Sequence, residues 1–285
     1  MYEAHFGFSE PPFGITPDTS FFFAFSSYQE ALNTLLVAVR SGEGFIKITG
    51  EVGTGKTLLC RKFLASLGND FVTAYIPNPY LEPRTLLLAV ADDLRIAVDD
   101  TADQHQLLKA LTLGLLNHAR QGKRVVLCLD EAQAMPLETM EALRLLTNLE
   151  TEKRKLLQIV LFGQPELDAK LDQASIRQLK QRISFHYRLG ELDRAELEAY
   201  VGHRIAIAGY SGEPVFSRPA LRLLHRASGG VPRLVNILAH KALLLTYGQG
   251  MMQAEARHVR AAVADTPAAR PLGWWQRMAR IRKTG

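Results

Sequence analysis

The octapeptide Gly50-Glu51-Val52-Gly53-Thr54-Gly55-Lys56-Thr57 is the feature that most constrains the fold, because its pattern GxxxxGK[ST] belongs to one structural context. An apolar run at 45–49 precedes it and predicts a strand, while residues 58–67 predict a helix that ends at Gly68. A glycine-rich loop between strand and helix wraps phosphate groups with its backbone N–H groups. The chain is therefore predicted to contain a phosphate-binding P-loop in an α/β fold.

Residues Gly50 through Leu58 are the predicted nucleotide contacts, and two of them carry side-chain chemistry. Lys56 is expected to bridge the β- and γ-phosphates of ATP. Thr57 offers a hydroxyl oxygen to Mg²⁺, which prefers octahedral oxygen ligands. The sequence contains no NKxD motif of the kind that recognises guanine, so ATP is favoured over GTP.

Two acids follow the apolar run at 125–129, at the strand end where α/β sheets bind their ligands. Asp130 is expected to hold Mg²⁺ through its water shell, and Glu131 to orient and deprotonate an attacking water. Taken alone, two solvated acids at a strand end are the more ordinary interpretation. The P-loop earlier in the chain favours the catalytic one.

Four further polar residues are candidates for sensing or stabilising the γ-phosphate. Gln164 follows the apolar run at 156–162 and could position water, or it is simply a polar turn residue before Pro165. Arginine stabilises phosphoryl charge in bidentate fashion. One of Arg177 or Arg182 is predicted to reach a neighbouring subunit's phosphate in trans, and Arg233 to contact ATP in cis. The alternative for each is an ordinary surface ion pair.

The rest of the chain alternates apolar runs with helical stretches, which predicts a parallel sheet sandwiched by helices. Strands are predicted at 71–76, 125–129, 156–162 and 185–189, with helices at 28–40 and at about 83–94, 104–121 and 136–150. After residue 192 the pattern is purely helical. The predicted domains are an irregular aromatic arm packing on the core (1–27), an α/β domain (28–192), a helical lid (193–265) and a basic tail (266–285).

The excess of positive charge is confined to the tail. The chain has 34 Lys and Arg against 29 Asp and Glu, but five cations and no acids lie after residue 265, which leaves 29 cations against 29 acids before it. A neutral body disfavours nucleic acid as a partner. The tail combines Trp274 and Trp275 with cations, which suits peripheral contact with an anionic membrane; a solvated or partner-docking tail is the alternative.

The termini and cysteines indicate the compartment. Residues 1–10 lack the basic region and apolar run of a signal peptide, and no stretch approaches the roughly 20 apolar residues of a membrane-spanning helix. Cys60 and Cys128 lie in apolar runs and are predicted to be reduced core residues. A cytoplasmic protein is expected, with the tail as a means of peripheral location at the inner membrane.

Several longer motifs resemble the ExeA/GspA-like branch of AAA+ ATPases, which is found with type II secretion and type IV pilus systems, pili of the MSHA type among them. The resemblance covers about residues 1 to 265. Its motifs are Met1-Tyr2, His5-Phe6-Gly7-Phe8, Pro12-Phe13, Gly42 to Phe45, the P-loop, Asp130-Glu131-Ala132-Gln133, 143–151, Gly163 to Leu167, 177–182 and Val231-Pro232-Arg233.

The resemblance implies an AAA+ core with a helical lid, Mg²⁺-dependent ATP hydrolysis and a homo-oligomer, such as a hexameric ring. It implies pilus or secretion assembly proteins of the inner membrane as partners. It also places Arg144 and Asn148 near a subunit boundary, Asn78 where it could restrain Glu131, and Phe6 and Phe13 near the adenine.

Two other functions remain open at this point. Transposition regulators and initiator-type loaders share this core, so a DNA-binding AAA+ regulator is the alternative, with 153–155 and 177–182 as its local basic patch. The second open function is a nucleotide-gated scaffold, which binds ATP and barely hydrolyses it.

Overall fold

The computed structural model describes residues 2–16, 18–99, 101–150 and 154–271, which group into two compact units. Ser26–Val52 and Lys56–Leu189 form an α/β unit. The described parts of Met1–Phe25 and Gly190–Gly285, together with Gly53–Gly55, form a helical unit. Within the described ranges, no helix is both long enough and apolar enough to cross a membrane.

Five parallel strands form one sheet in the α/β unit, in the order β2-β3-β4-β1-β5. The three central strands are buried almost throughout, as expected where helices cover both faces. The predicted α/β P-loop fold with a parallel sheet is confirmed. The strands are β1 Phe45–Thr49, β2 Phe71–Ile76, β3 Arg124–Leu129, β4 Leu157–Gly163 and β5 Phe185–Arg188.

In the described part of the chain, seven helices belong to the α/β unit, and two of them begin at recognisable signals. Pro83 is the first residue of its helix, and Asp103 and Gln106 exchange side-chain and backbone hydrogen bonds in a capping box. The helices are α2 Ser26–Ser41, α3 Lys56–Ala65, α4 Pro83–Asp93, α5 Gln104–Arg120, α6 Leu137–Leu146, α7 Glu166–Leu171 and α8 Arg177–Lys180.

Three of these helices differ from the sequence prediction. Helix α6 ends at Leu146 rather than near residue 150, because the chain then enters an antiparallel bridge between Glu150 and Lys155. Helices α7 and α8 have six and four residues, too few to show a helical period in the sequence.

The parallel register determines where the polar residues after the strands emerge. Thr49 pairs with Gly163, and Leu129 lies beside Leu161. The carboxyl ends of β1, β3 and β4 therefore lie at one edge of the sheet, and the segments that follow these three strands start side by side.

Four helices make up most of the helical unit, as the sequence predicted: α9 Arg194–Ile207, α10 Arg218–Ser228, α11 Pro232–Gly248 and α12 Ala256–Ala264. Asp193 and Glu196 form a capping box at the start of α9. Helix α10 is capped after Ser228 by Gly229, whose φ of 62° lies in the left-handed region that glycine tolerates.

The N-terminal arm is partly helical, whereas the sequence predicted an irregular segment, and its contacts group it with the helical unit. It contains helix α1, Tyr2–Phe6, and a 3₁₀ turn at Thr19–Phe21. The buried guanidinium of Arg204 donates to the carbonyls of Pro12 (2.5 Å) and Gly14 (3.4 Å). A buried charge requires such acceptors, and the arm supplies them.

Candidate functional site

The P-loop has the backbone geometry that its glycines predicted. The N–H of Gly50 donates to the carbonyl of Gly163 over 3.2 Å, which fixes the start of the loop beside β4. Gly53 and Gly55 have φ values of 84° and 97°, a conformation that side chains with a Cβ rarely adopt. Helix α3 begins at Lys56, so the loop closes directly onto a helix N-terminus.

The ammonium of Lys56 lies within this loop. It donates to the carbonyls of Gly50 (2.8 Å) and Glu51 (3.0 Å), and the residue is 5% exposed. Burial lowers the pKa of Lys56, while the nearby carboxylates of Glu131 and Asp130 act in the opposite direction. The loop therefore holds a desolvated cation that can attract phosphate oxygens.

Thr57 and Asp130 form an oxygen pair beside Lys56. The Thr57 hydroxyl donates to Asp130 Oδ2 over 2.6 Å. Asp130 is 2% exposed, and burial raises its pKa, although the hydrogen bonds from Thr57 and from the Glu131 N–H act to lower it. A hydroxyl and a carboxylate placed together suit the hard, oxygen-seeking Mg²⁺ ion, so the residues fit the predicted magnesium site.

Glu131 is one of two non-glycine residues with positive φ in the described chain, with φ 51° and ψ 36°. Its N–H donates to Asp130 Oδ1 over 2.9 Å, which satisfies the strained peptide. Such strain of about 1–3 kcal/mol persists where the surroundings over-determine it, and it is common at functional sites. Because of this left-handed backbone, the Glu131 side chain points in a direction that differs from those of the side chains of β3.

The Glu131 carboxylate is bound by two side-chain amides. Gln133 Nε2 donates to Glu131 Oε2 over 2.5 Å, and Gln164 Nε2 donates to the same oxygen over 3.1 Å. The Gln164 N–H in turn donates to Gln133 Oε1 over 3.0 Å. We call Glu131, Gln133 and Gln164 the glutamate clamp.

Sequence reasoning assigned no role to Gln133, although it belongs to the motif Asp130-Glu131-Ala132-Gln133. Lys170 fixes it further by donating to the carbonyls of Gln133 and Met135, each over 2.7 Å. Asn78, predicted to restrain Glu131, instead accepts a hydrogen bond from the Tyr80 N–H (3.2 Å). The sequence signal that could have identified Gln133 was a side-chain amide two residues after Glu131.

Arg233 lies at the start of α11, next to the tip of the P-loop. Its N–H donates to the carbonyl of Gly53 over 3.1 Å, and its side chain is exposed. A Cβ on Gly53 would approach Arg233 Cβ to 2.6 Å. The backbone contact brings Arg233 to the loop, while its contact with ATP stays a prediction.

The two candidate trans arginines have different surroundings. Arg182 is partly buried and donates Nη1 to the carbonyl of Thr147 over 3.2 Å. Arg177 begins α8 and is exposed, and it has no side-chain hydrogen bond or ion pair with the residues that the structure describes. Arg144, predicted near a subunit boundary, pairs with Glu141 over 2.8 Å.

Phe6 and Phe13 are each 2% exposed. Phe6 stacks on Phe8 with ring centroids 5.5 Å apart, and Phe13 meets Phe216 edge to face at 5.9 Å. Both rings are thus packed inside the helical unit, and their proximity to adenine stays a prediction.

Comparisons with known proteins show which family the sequence resembles. The AAA domain family matches residues 39–171. General secretion pathway protein A of Aeromonas hydrophila is 41% identical over 276 residues, which cover 97% of this chain and 50% of that protein. The chain spans about half the length of this curated relative.

Solved structures with the same fold include ORC proteins and a Holliday junction branch migration motor. The ORC2 protein of Aeropyrum pernix has a TM-score of 0.62 at 18% identity, covering 90% of this chain and 73% of that one. The ORC1 protein of Aeropyrum pernix in complex with DNA has a TM-score of 0.64 at 17% identity (90% and 69%). Thermotoga maritima RuvB has a TM-score of 0.57 at 15% identity (88% and 73%). Identities this low show the fold alone.

Proposed function

We propose, from the premise that this chain belongs to the AAA+ proteins of the ExeA/GspA-like family, that it binds ATP with Mg²⁺ and hydrolyses it. The glutamate clamp carries the proposal. It fixes a carboxylate next to the Thr57–Asp130 pair and near the buried Lys56 cation. An acid oriented at this position supports hydrolysis over nucleotide binding alone.

Each residue has a separate task in this mechanism. Lys56 and the loop N–H groups bind the phosphates, and Thr57 with Asp130 would hold Mg²⁺, which neutralises phosphate charge when bound. Glu131 accepts the proton of the attacking water, while Gln133 and Gln164 keep its carboxylate oriented. Gln164, at the end of β4, also offers an amide to the water or the γ-phosphate.

Hydrolysis is proposed to need a second copy of the chain. Arg177 is the favoured trans residue because it is exposed, whereas Arg182 already binds the Thr147 carbonyl. A guanidinium from a neighbour stabilises developing phosphoryl charge, and an arginine finger supplies a factor of about 10³–10⁵ in rate. Arg233 acts in cis from the start of α11.

Phosphate release from Mg·ATP tests the activity, with EDTA and GTP as controls. Specific activity is expected to rise with protein concentration. A mixture of Glu131→Gln and Arg177→Ala chains is then expected to regain activity that neither has alone, because one supplies the base and the other the arginine. No turnover by wild type at any concentration would overturn the proposal of hydrolysis. An inactive mixture would overturn the trans role of Arg177.

The biological process is proposed to be assembly or remodelling of a type II secretion machine or a type IV pilus of the MSHA type. The support is the 41% identity to a general secretion pathway protein. Pull-down with the Glu131→Gln variant in Mg·ATP is expected to enrich secretion or pilus assembly proteins of the inner membrane. Enrichment of unrelated proteins only would contradict this assignment.

A cytoplasmic location with peripheral membrane contact is proposed from the basic tail, of which residues 272–285 lie outside the described range. Removing residues 271–285 is expected to reduce co-sedimentation with anionic liposomes at low salt, because Trp and cations together favour such surfaces. Equal co-sedimentation of the full and shortened chains would eliminate membrane binding by the tail.

A further inference from the structure

Lys170 caps the turn that carries one amide of the glutamate clamp. Its ammonium donates to the carbonyls of Gln133 and Met135, each over 2.7 Å. Both carbonyls lie at the end of the 3₁₀ turn Ala132–Ala134, which the Met135 N–H closes on the carbonyl of Ala132 over 3.2 Å. A cation at the last carbonyls of a helical turn is a favourable cap, so Lys170 holds the turn to which Gln133 belongs.

Helix α7, which supplies this lysine, starts directly after the other amide of the clamp. Gln164 and Pro165 precede the helix, and the Leu167 N–H donates to the carbonyl of Gln164 over 2.9 Å. The first turn of α7 therefore holds the backbone of Gln164. One six-residue helix thus contacts the backbone of both amide residues that bind Glu131, although these two lie 31 residues apart in the sequence.

The position of α7 is itself fixed by packing and by an ion pair. Leu167 and Leu171 are fully buried, and a Cβ on Gly163 would approach Leu167 Cδ2 to 2.7 Å, so the helix packs closely on the end of β4. Asp168 pairs with Lys47, a buried residue of β1, and a buried ammonium requires such a partner. Helix α7 therefore joins the strand that leads into the P-loop to the 3₁₀ turn of the clamp.

We propose that Lys170 is a positioning residue for ATP hydrolysis, acting on Glu131 through the Gln133 amide. The ammonium holds the 3₁₀ turn at the distance from α7 at which both amides reach one oxygen of the carboxylate. Without it the two carbonyls lose their donor, and Gln133 moves off the acid and leaves Gln164 to orient it. The effect on rate rests on the proposed hydrolysis, whereas the effect on the turn requires no turnover.

Lys170→Met removes the ammonium and keeps the apolar stem. It is expected to lower kcat about fivefold with KM for Mg·ATP unchanged, because the base loses orientation while the phosphate contacts stay in place. Lys170→Arg retains donors for both carbonyls and is expected to recover most of the loss. Lys241→Met is the matched control and is expected to keep wild-type kcat, because this ammonium also donates to a backbone carbonyl, that of Asp265 (2.8 Å), but lies in the helical unit.

A double-mutant cycle separates positioning through Gln133 from a general loss of stability. In a chain that already carries Gln133→Met, the side-chain amide is gone, so Lys170→Met is expected to lower kcat no further. An equal fall in kcat in both backgrounds would overturn the proposal, since Lys170 would then act independently of Gln133.

Hydrogen exchange of the Ala134 and Met135 amides in the nucleotide-free protein tests the turn without turnover. These N–H groups donate to the carbonyls of Glu131 (2.8 Å) and Ala132 (3.2 Å) inside the turn that Lys170 caps. Lys170→Met is expected to accelerate their exchange about tenfold, the factor of one hydrogen bond, and the control variant not at all. Unchanged exchange would overturn the proposal even where kcat falls. If the wild-type chain releases no phosphate, hydrolysis is overturned, while accelerated exchange still supports the hold of Lys170 on the turn.

Discussion

Gln133 and Gln164 both donate to Oε2 of Glu131, over 2.5 Å and 3.1 Å, and in the described chain Oε1 accepts from neither amide. One oxygen of the carboxylate is thus held while the other is available to accept a proton. The two amides therefore orient the carboxylate through Oε2 and leave Oε1 for the proton.

Gln133→Met is expected to lower kcat about tenfold with KM unchanged, because a freed carboxylate samples unproductive orientations. Met keeps the side-chain volume. The Lys170 ammonium donates to the backbone carbonyl of residue 133, so the substitution leaves that hydrogen bond in place. Steady-state kinetics provide the measurement, with exposed Gln173→Met as the control. A change in KM alone would mean that Gln133 serves nucleotide binding instead.

Glu131→Gln is expected to keep ATP affinity within about twofold while reducing turnover at least about 100-fold, the size of a general-base contribution. Gln retains an oxygen that can accept from Gln133 and Gln164, so the clamp is preserved without the base. Fluorescent-nucleotide binding and phosphate release measure the two effects. Glu138→Gln, on the exposed start of α6, should change neither. Wild-type turnover in the Glu131 variant would remove this residue from the mechanism.

Lys56→Ala is expected to weaken ATP binding about 100-fold, because its buried ammonium is the cation enclosed by the loop. Calorimetry with Mg·ATP measures the loss. Lys109→Ala removes the same charge from an exposed face of α5 and is expected to have no effect. Matching affinities for the two variants would contradict the phosphate role of Lys56.

Gly53→Ala is expected to lower the melting temperature by several degrees more than Gly42→Ala, measured without nucleotide. Both glycines have φ of 84°, so the backbone strain is matched. A Cβ at Gly53 would lie 2.6 Å from Arg233 Cβ, whereas nothing lies within 4 Å of one at Gly42. Equal losses would show that the packing between the loop tip and α11 contributes nothing.

Asp130→Asn is expected to raise the melting temperature of the nucleotide-free protein at neutral pH by about 2 °C while abolishing turnover. Burial raises the folded-state pKa of Asp130 above its ordinary 3.8. The folded chain therefore binds the proton more tightly, and stability falls as pH rises from 3.8 through that folded pKa. Asn removes this loss and flattens the pH dependence in that window.

Asp265→Asn is the control of opposite sign, since a hydrogen bond from Lys241 lowers the pKa of this exposed carboxyl. It is expected to leave the melting temperature unchanged or slightly lower. A lower melting temperature for Asp130→Asn would show that the charge of Asp130 stabilises the fold.

The sheet and the P-loop were predictable because both are local patterns. Apolar runs specify buried parallel strands, and the spacing of Gly50, Gly55 and Lys56 specifies a loop with a helix after it. The position of Asp130 and Gln164 at one edge of the sheet was predictable because parallel strands end at a common edge, while their roles stay predictions.

The glutamate clamp and the position of the arm could not be predicted in the same way. Gln133 and Gln164 are 31 residues apart, and their contact depends on how the 3₁₀ turn at Ala132–Ala134 aims one amide. Aromatic composition predicts that the arm is buried but does not show which residues it contacts. Among those contacts is Arg204, whose burial no sequence period indicates.

The hydrogen bond from the Arg233 N–H to the Gly53 carbonyl has a mechanical consequence. A helix N-terminus has free N–H groups, and here one of them is satisfied by the P-loop itself. Any rotation of the Gly53 peptide plane must break that bond or carry the first turn of α11 with it. Within the helical unit, the conformation of the Gly53 peptide is therefore coupled to the hydrogen bonding at the start of α11.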